Sequence, residues 1–171
     1  MNQLKNKKVL ITGGAGFIGS HLVKKLADKG ADVTVVDDLS AGDLINLHDK
    51  NIQFRAVHLG LLEQFFAKTT DIKGSVVVIT ADFVDPSVLN HFIENDYTHV
   101  FHLAANPRVE YSVKYPAMST ETNLMKTVEL LSACRQTNIE KFIFASSSAV
   151  YGQPSEDIVS IEDVSKTNPS S

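Results

Sequence analysis

A short apolar run stops at a cluster of glycines in Lys8-Val9-Leu10-Ile11-Thr12-Gly13-Gly14-Ala15-Gly16-Phe17-Ile18-Gly19-Ser20-His21-Leu22, and an amphipathic run begins at once. That is the pattern of a strand, a tight turn and the first turn of a helix. Gly13 takes turn angles at no steric cost. Gly16 has no side chain to hold a ligand away from the backbone, and Gly19 lets the helix sit close on the strand. The helix start offers free N–H groups and a partial positive charge to an anion. Gly14, Gly16 and Gly19 fit G-x-G-x-x-G, and Gly13, Gly16 and Gly19 fit a G-x-x-G-x-x-G variant. The Gly-Lys-Ser/Thr ending of a nucleoside-triphosphate loop is missing. The natural ligand of such a turn is a dinucleotide pyrophosphate.

The rest of the chain alternates strands with helices. Strand 1 is Lys8 to Thr12, and the helix after it carries Ile18, Leu22 and Leu26 with Gly30 just past its end. Asp32 to Val36 is the next strand, ending in Asp37-Asp38, and Leu44 to His48 reads as a short helix. In the stretch from Asn51 to Gly74, Ile52, Phe54 and Ala56 alternate like a strand, and Leu61, Leu62, Phe65 and Phe66 have helical spacing. Ser75 to Thr80 is a buried strand, and Asp85-Pro86 opens a helix with Val88, Leu89, Phe92 and Ile93 on its apolar face. His99 to Ala105 is a strand with its exit loop. Ala117 to Thr137 is one long helix carrying Leu124, Val128, Leu131 and Cys134, and Lys141 to Ser146 is the last strand. Nearly continuous apolar strands between helices predict an α/β fold with a doubly wound, mainly parallel sheet. Ligands bind such a sheet at the C-terminal ends of its strands, where Asp37, Asp82, Ala104-Ala105 and Ser146-Ser147-Ser148 collect.

The chain of 171 residues suffices for one such domain. A net charge of −4 argues against a nucleic-acid or anionic-membrane surface. No run approaches a membrane span, and no apolar signal segment precedes strand 1, so a cytoplasmic location is expected. Cys134 is the only cysteine and reads as a small buried apolar residue. The six histidines are scattered, so no metal site is expected.

Asp37 completes the dinucleotide signal. A carboxylate at the end of the second strand accepts hydrogen bonds from both adenosine ribose hydroxyls and repels a 2′-phosphate, which favours NAD over NADP. Asp38, next to it, reads as a solvated loop residue. Asp82 has two readings, adenine contact or helix cap beside Asp85-Pro86. His102, in an apolar strand, reads as a satisfied core histidine. Ser146-Ser147-Ser148 reads as loop chemistry, and no Gly-x-Ser-x-Gly elbow marks a hydrolase nucleophile.

Together these pieces resemble the extended short-chain dehydrogenase/reductase family of sugar-nucleotide epimerases and dehydratases. The matching segments are Thr12 to Leu22, Val36-Asp37-Asp38-Leu39-Ser40-Ala41-Gly42, His102-Leu103-Ala104-Ala105, Asn123-Leu124-Met125-Lys126-Thr127, and Phe144-Ala145-Ser146-Ser147-Ser148-Ala149-Val150-Tyr151-Gly152. The resemblance implies a Rossmann fold over residues 1–171, truncated on its C-terminal side, with NAD as cofactor. It implies that Gly13, Gly16 and Gly19 hold the pyrophosphate with backbone contacts from Phe17 and Ile18. Asp37, with Asp38 beside it, would take the ribose, and Asp82 and Phe83 the adenine. Leu103, Ala104, Ala105, Asn123 and Ser146 would lie along the cofactor, and Ser147 would be the catalytic Ser/Thr, four residues before Tyr151.

The family also needs a Tyr-x-x-x-Lys pair, and none of Tyr97, Tyr111, Tyr115 and Tyr151 has a lysine four residues later. Relatives carry that pair just after a polar segment like Thr167-Asn168-Pro169-Ser170-Ser171, so the expectation is an N-terminal fragment of a longer enzyme, inactive by itself. The parent reaction expected is C4 epimerisation of a UDP-hexose through a transient 4-keto sugar. A dehydratase is disfavoured because Ser148 and Ala149 stand where that branch carries Asp-Glu. A noncatalytic NAD-binding module is the competing class. Lys126 stands where relatives often have Gly, Pro107 where they often have a polar residue, and Asn51 to Gly74 looks like an insertion. The resemblance further implies a homodimer formed by pairing helices, leaving Leu124, Val128 and Leu131 uncovered here.

Overall fold

The computed structural model describes residues 4–5, 7–49, 54–58 and 75–151. Their strands are β1 (Lys8–Thr12), β2 (Asp32–Asp37), β3 (Phe54–His58), β4 (Val76–Thr80), β5 (His99–His102) and β6 (Lys141–Phe144). They form one sheet in the order β3-β4-β2-β1-β5-β6, with every pairing parallel. The chain winds outward from β1 through β2, then returns to the other side of β1 with β5. That reversal is the switch point at which doubly wound sheets open a crevice. The register places Thr12 beside both Val36 and His102, and Asp37 beside Thr80. The residues that follow β1, β2, β4 and β5 therefore share one edge.

Alternating side chains give the sheet two cores. Val9, Ile11, Val33, Val35, Val76 and Val78 pack with Val23 and Leu26 of α1 (Phe17–Asp28). On the other face Leu10, Val36, Ile79 and Val100 pack with Val88 and Phe92 of α2 (Pro86–Glu94) and with Leu130 and Ala133. Gly30, at φ +79°, ends α1 as expected. Asp85 caps α2, accepting from Ser87 N at 2.9 Å, with Pro86 in the first turn. The helix-cap reading of Asp82 thus passes to Asp85.

Three features differ from the sequence reading or extend it. The strand expected from Phe54 and Ala56 exists as β3, and it forms the outer edge beyond β4. Arg55 and Ala56 are exposed there, as an edge strand tolerates. Ile52 and the helical spacing of Leu61 to Phe66 lie outside the described residues, as does the polar stretch after Tyr151. A helix α3 (Val109–Lys114) follows β5. It buries no residue, so it left no core-facing periodicity to read.

The long helix is built in three parts: α4 (Pro116–Thr120), a π-helical turn (Glu121–Met125) and α5 (Lys126–Cys134). Its inner face is Thr127, Leu130 and Ala133, not the stripe of Leu124, Val128 and Leu131. Those three are 56%, 52% and 41% exposed, which agrees with the expectation that they lie uncovered. The segment is apolar on two sides, so periodicity alone does not choose between them. The small Ala133 and a hydrogen bond from His102 to Thr127 select the inner side.

Candidate functional site: the crevice at the C-terminal edge of the sheet

The glycine turn is closed by Gly13 N donating to Val36 O at 2.9 Å. Gly13 has φ +71°, and a Cβ there would lie 2.7 Å from Ala104 N. At Gly14 the obstacle would be a Val35 methyl at 2.6 Å, and at Gly19 it would be Gly13 O at 2.3 Å. Both contacts explain the glycines by close packing of the turn on β2 and of α1 on the turn. Gly16 is different: a Cβ there would meet only Gly13 O, at 3.3 Å. Gly16 is the least crowded of these positions, and the lack of a side chain there leaves the backbone open to a ligand.

Gly16 is also the N-cap of α1, with no side chain capping it and no acidic residue in the first turn. The first bond of the helix runs from Ser20 N to Gly16 O at 2.9 Å. The N–H groups of Phe17, Ile18 and Gly19 therefore sit at the open, positive end of the helix. Phe17 and Ile18 expose their side chains, at 81% and 68%. The donor set suits a pyrophosphate.

The Asp37 carboxylate lies against this turn, 7% exposed. Its Oδ2 accepts from Ala15 N and its Oδ1 from Leu39 N, both at 2.9 Å. The second bond is served by Leu39 in the left-handed region at φ 58°. Each carboxylate oxygen keeps a further acceptor position, so Asp37 is fixed in place and still able to receive two hydroxyls. Asp38 instead closes its own turn, with Oδ1 accepting from Ser40 N at 2.9 Å and Ser40 Oγ at 2.6 Å.

Beyond β2, at the end of β4, Asp82 Oδ1 accepts from Val84 N at 3.2 Å and Oδ2 is paired with the Lys126 ammonium. The Asp82 hydrogen bond, with further attraction from Glu121 and Asp38, raises the Lys126 pKa above the usual lysine value. Phe83 is buried and meets the His102 ring edge-on at 5.0 Å between centroids.

His102 ties the site to its support. Thr127 Oγ1 donates to Asn123 O at 2.9 Å, so it accepts from His102 Nε2, also at 2.9 Å. That assigns the ring proton to Nε2 and leaves Nδ1 to accept from Thr12 Oγ1 at 2.6 Å. Thr12 Oγ1 in turn accepts from Ala104 N at 3.3 Å. Burial lowers the His102 pKa to about 4, keeping the ring neutral. The core-histidine reading holds, and every polar atom in the relay has a partner.

Asn123 faces the loop after β5. Its Oδ1 accepts from Asn106 N at 2.7 Å, and its Nδ2 donates to Asn106 O at 3.0 Å. It clamps the loop that carries Leu103, Ala104 and Ala105. The clamp sits in the π-helical turn, a form that clusters at functional sites. Ser146 and Ser147 follow β6 and are exposed. Ser147 Oγ accepts from Ala149 N at 3.2 Å, at the start of the short 3₁₀ turn Ser148–Tyr151.

The structure thus brings the glycine turn, Asp37 and Ala104 into direct contact. Asp82 and Phe83 lie on the β4 side of Asp37, and the Ser147 loop follows β6, on the far side of β5. The relay through Thr12, His102 and Thr127 and the Lys126 partner of Asp82 were not read from the sequence. His102 and Lys126 carried a signal, as a polar residue in an apolar strand and as a departure from the family glycine. Among the described residues there is no group of three or more His, Cys, Asp or Glu that could hold a metal ion. No described helix is long and apolar enough to cross a membrane.

Residues 9–171 match the family model described as the NAD dependent epimerase/dehydratase family. A UDP-glucose 4-epimerase from Caenorhabditis elegans is 34% identical over 149 residues, 86% of this chain and 40% of that protein. A putative UDP-glucose 4-epimerase from Methanocaldococcus jannaschii is 33% identical, over 85% of this chain and 40% of its own length. The solved UDP-glucose 4-epimerase from Thermus thermophilus, in complex with NAD, superposes with a TM-score of 0.68 at 36% identity, covering 91% of this chain and 42% of that one. The chain therefore spans about 40% of the length of the curated relatives it matches. With a parallel sheet of the same architecture and a family match over nearly its whole length, the chain belongs to the NAD dependent epimerase/dehydratase family.

Proposed function

We propose that this chain is the cofactor-holding part of a nucleotide-sugar 4-epimerase that acts on UDP-hexoses and uses NAD. The observation that carries the reading is the uncapped N-terminus of α1 set against the fixed carboxylate of Asp37. The open amides of Phe17, Ile18 and Gly19 would hold the pyrophosphate, and the free acceptor positions of Asp37 the adenosine ribose. Asp38 closes its own turn beside them, so its part is charge. Asp82 and Phe83 would border the adenine. The clamped loop of Leu103, Ala104 and Ala105, with Asn123 behind it and Ser146 beyond, would face the nicotinamide half. Bound NAD supplies a reversible hydride acceptor for C4 of the sugar. Ser147 would hold the C4 oxygen as the sugar passes through its 4-keto form. A relative named for UDP-glucose 4-epimerisation supports this substrate class.

The competing reading is a noncatalytic NAD-binding module. The two readings differ in a Tyr-x-x-x-Lys pair, which the epimerase requires and the module does not. That pair would move the proton on the sugar hydroxyl. We further propose a homodimer, supported by the apolar stripe of Leu124, Val128 and Leu131, and a cytoplasmic location, supported by the single Cys134. The test is conversion of UDP-galactose to UDP-glucose by the 171-residue chain and by the product of the complete reading frame. Conversion by the latter alone supports the epimerase. Binding of NAD with conversion by neither supports the module.

A further inference from the structure

The Lys126 ammonium and the Asp82 carboxylate form an ion pair beside the end of β4. The ion pair points to something specific.

Along the crevice edge, the sheet order runs β1, β2, β4. A dinucleotide with its pyrophosphate at the turn after β1 and its ribose at Asp37 after β2 has its base over the end of β4. This placement rests on the dinucleotide reading above. At that spot a lone Asp82 would be a pure acceptor. It would take the exocyclic amino group of adenine and reject a purine with a carbonyl oxygen at position 6, by repulsion between unpaired acceptors. Here Asp82 is not alone. The Lys126 ammonium is bound to its Oδ2, and both side chains retain access to the crevice, at 22% and 38% exposure. An ammonium has three donors, of which Asp82 takes one. The pair therefore shows the base edge a donor and an acceptor side by side. Adenine can use both, its amino group on Asp82 and its N1 on Lys126. Hypoxanthine can do the same with its roles exchanged, its carbonyl oxygen on Lys126 and its N1–H on Asp82.

We propose that Lys126 is a specificity-determining residue: by pairing with Asp82 it relaxes the choice of base, so that adenine and hypoxanthine dinucleotides bind with similar affinity. A residue without an ammonium at position 126 would restore the preference for adenine.

The experiment is equilibrium titration of the 171-residue chain with NAD and with nicotinamide hypoxanthine dinucleotide. The two dissociation constants are expected within about threefold of each other in the wild type. Lys126→Met keeps most of the stem and removes the charge, and is expected to raise the ratio to about tenfold or more in favour of NAD. Lys126→Arg keeps a donor next to Asp82 and is expected to hold the ratio near the wild-type value. A purely structural role for the pair would weaken both ligands together and leave the ratio alone. Binding of both dinucleotides with a ratio that Lys126→Met does not move overturns this inference and leaves the dinucleotide site standing. Binding of neither by the folded wild type overturns both.

Discussion

The Nδ1 atom of His102 accepts a hydrogen bond from the Thr12 hydroxyl at 2.6 Å, joining the last residue of β1 to the last residue of β5 directly beneath the glycine turn. Because Nε2 is committed to Thr127, an apolar residue in place of the ring leaves the buried Thr12 O–H without an acceptor, and Thr127 keeps only its bond to Asn123 O. His102→Leu is expected to destabilise the fold by about 1–3 kcal/mol, the cost of one unsatisfied buried donor. Urea unfolding followed by circular dichroism measures it.

The same residue gives stability a pH dependence. Burial holds His102 and His91 at pKa values of about 4 in the folded chain, against about 6.5 in the unfolded one. Between those values the unfolded state binds more protons, so unfolding becomes easier as pH falls. Stability from this source is complete above about pH 6.5 and is lost progressively toward about pH 4. Urea midpoints measured from about pH 7.5 down to about pH 4 are expected to fall, with a shallower slope in His102→Leu.

Asp37 is expected to set the choice of cofactor. Asp37→Asn removes the negative charge and one acceptor, so that only one of the two bonds from Ala15 N and Leu39 N can remain. NAD affinity should fall about tenfold or more, in line with about 1.5–3 kcal/mol for hydrogen bonds to a charged group. NADP, no longer repelled at the ribose, should lose much less. Parallel titrations with both cofactors measure the change in preference.

The uncovered stripe of Leu124, Val128 and Leu131 lies on one helix with Met118 and Met125, all of them more than two-fifths exposed. An apolar face of this kind drives association. Sedimentation velocity is expected to show a concentration-dependent dimer, and Leu124→Lys with Val128→Glu is expected to yield a monomer with an unchanged circular dichroism spectrum.

Much of this fold is written in local pattern. The run ending at Thr12, the glycines and Asp37 announce β1, the turn and β2 because strand ends, turns and helix starts are decided by neighbours in sequence. Pro86 after Asp85 announces α2 for the same reason. The order of strands is not local: β3 lies beyond β4, and nothing in the residues of β3 names the strand it pairs with. The inner face of α5 is hidden because the helix is apolar on two sides, and the partner that selects Thr127 lies 25 residues away in β5. The pairing of Asp82 with Lys126 spans 44 residues, and no spacing rule reaches that far. Ser147 is placed by resemblance, and its sequence surroundings alone say only that a turn follows.

The central claim is that the glycine turn exists to hold a dinucleotide. Gly13, Gly14 and Gly19 cannot test it, because side chains there collide with the fold itself. Gly16 can, since a Cβ at that position meets only Gly13 O at 3.3 Å. The measurement is calorimetric titration of NAD into the wild type and Gly16→Val, with urea unfolding of both. We predict saturable binding by the wild type and its loss in a Gly16→Val chain that still unfolds cooperatively in urea. A folded wild type that binds no NAD, or a Gly16→Val chain that binds it equally well, would contradict the account.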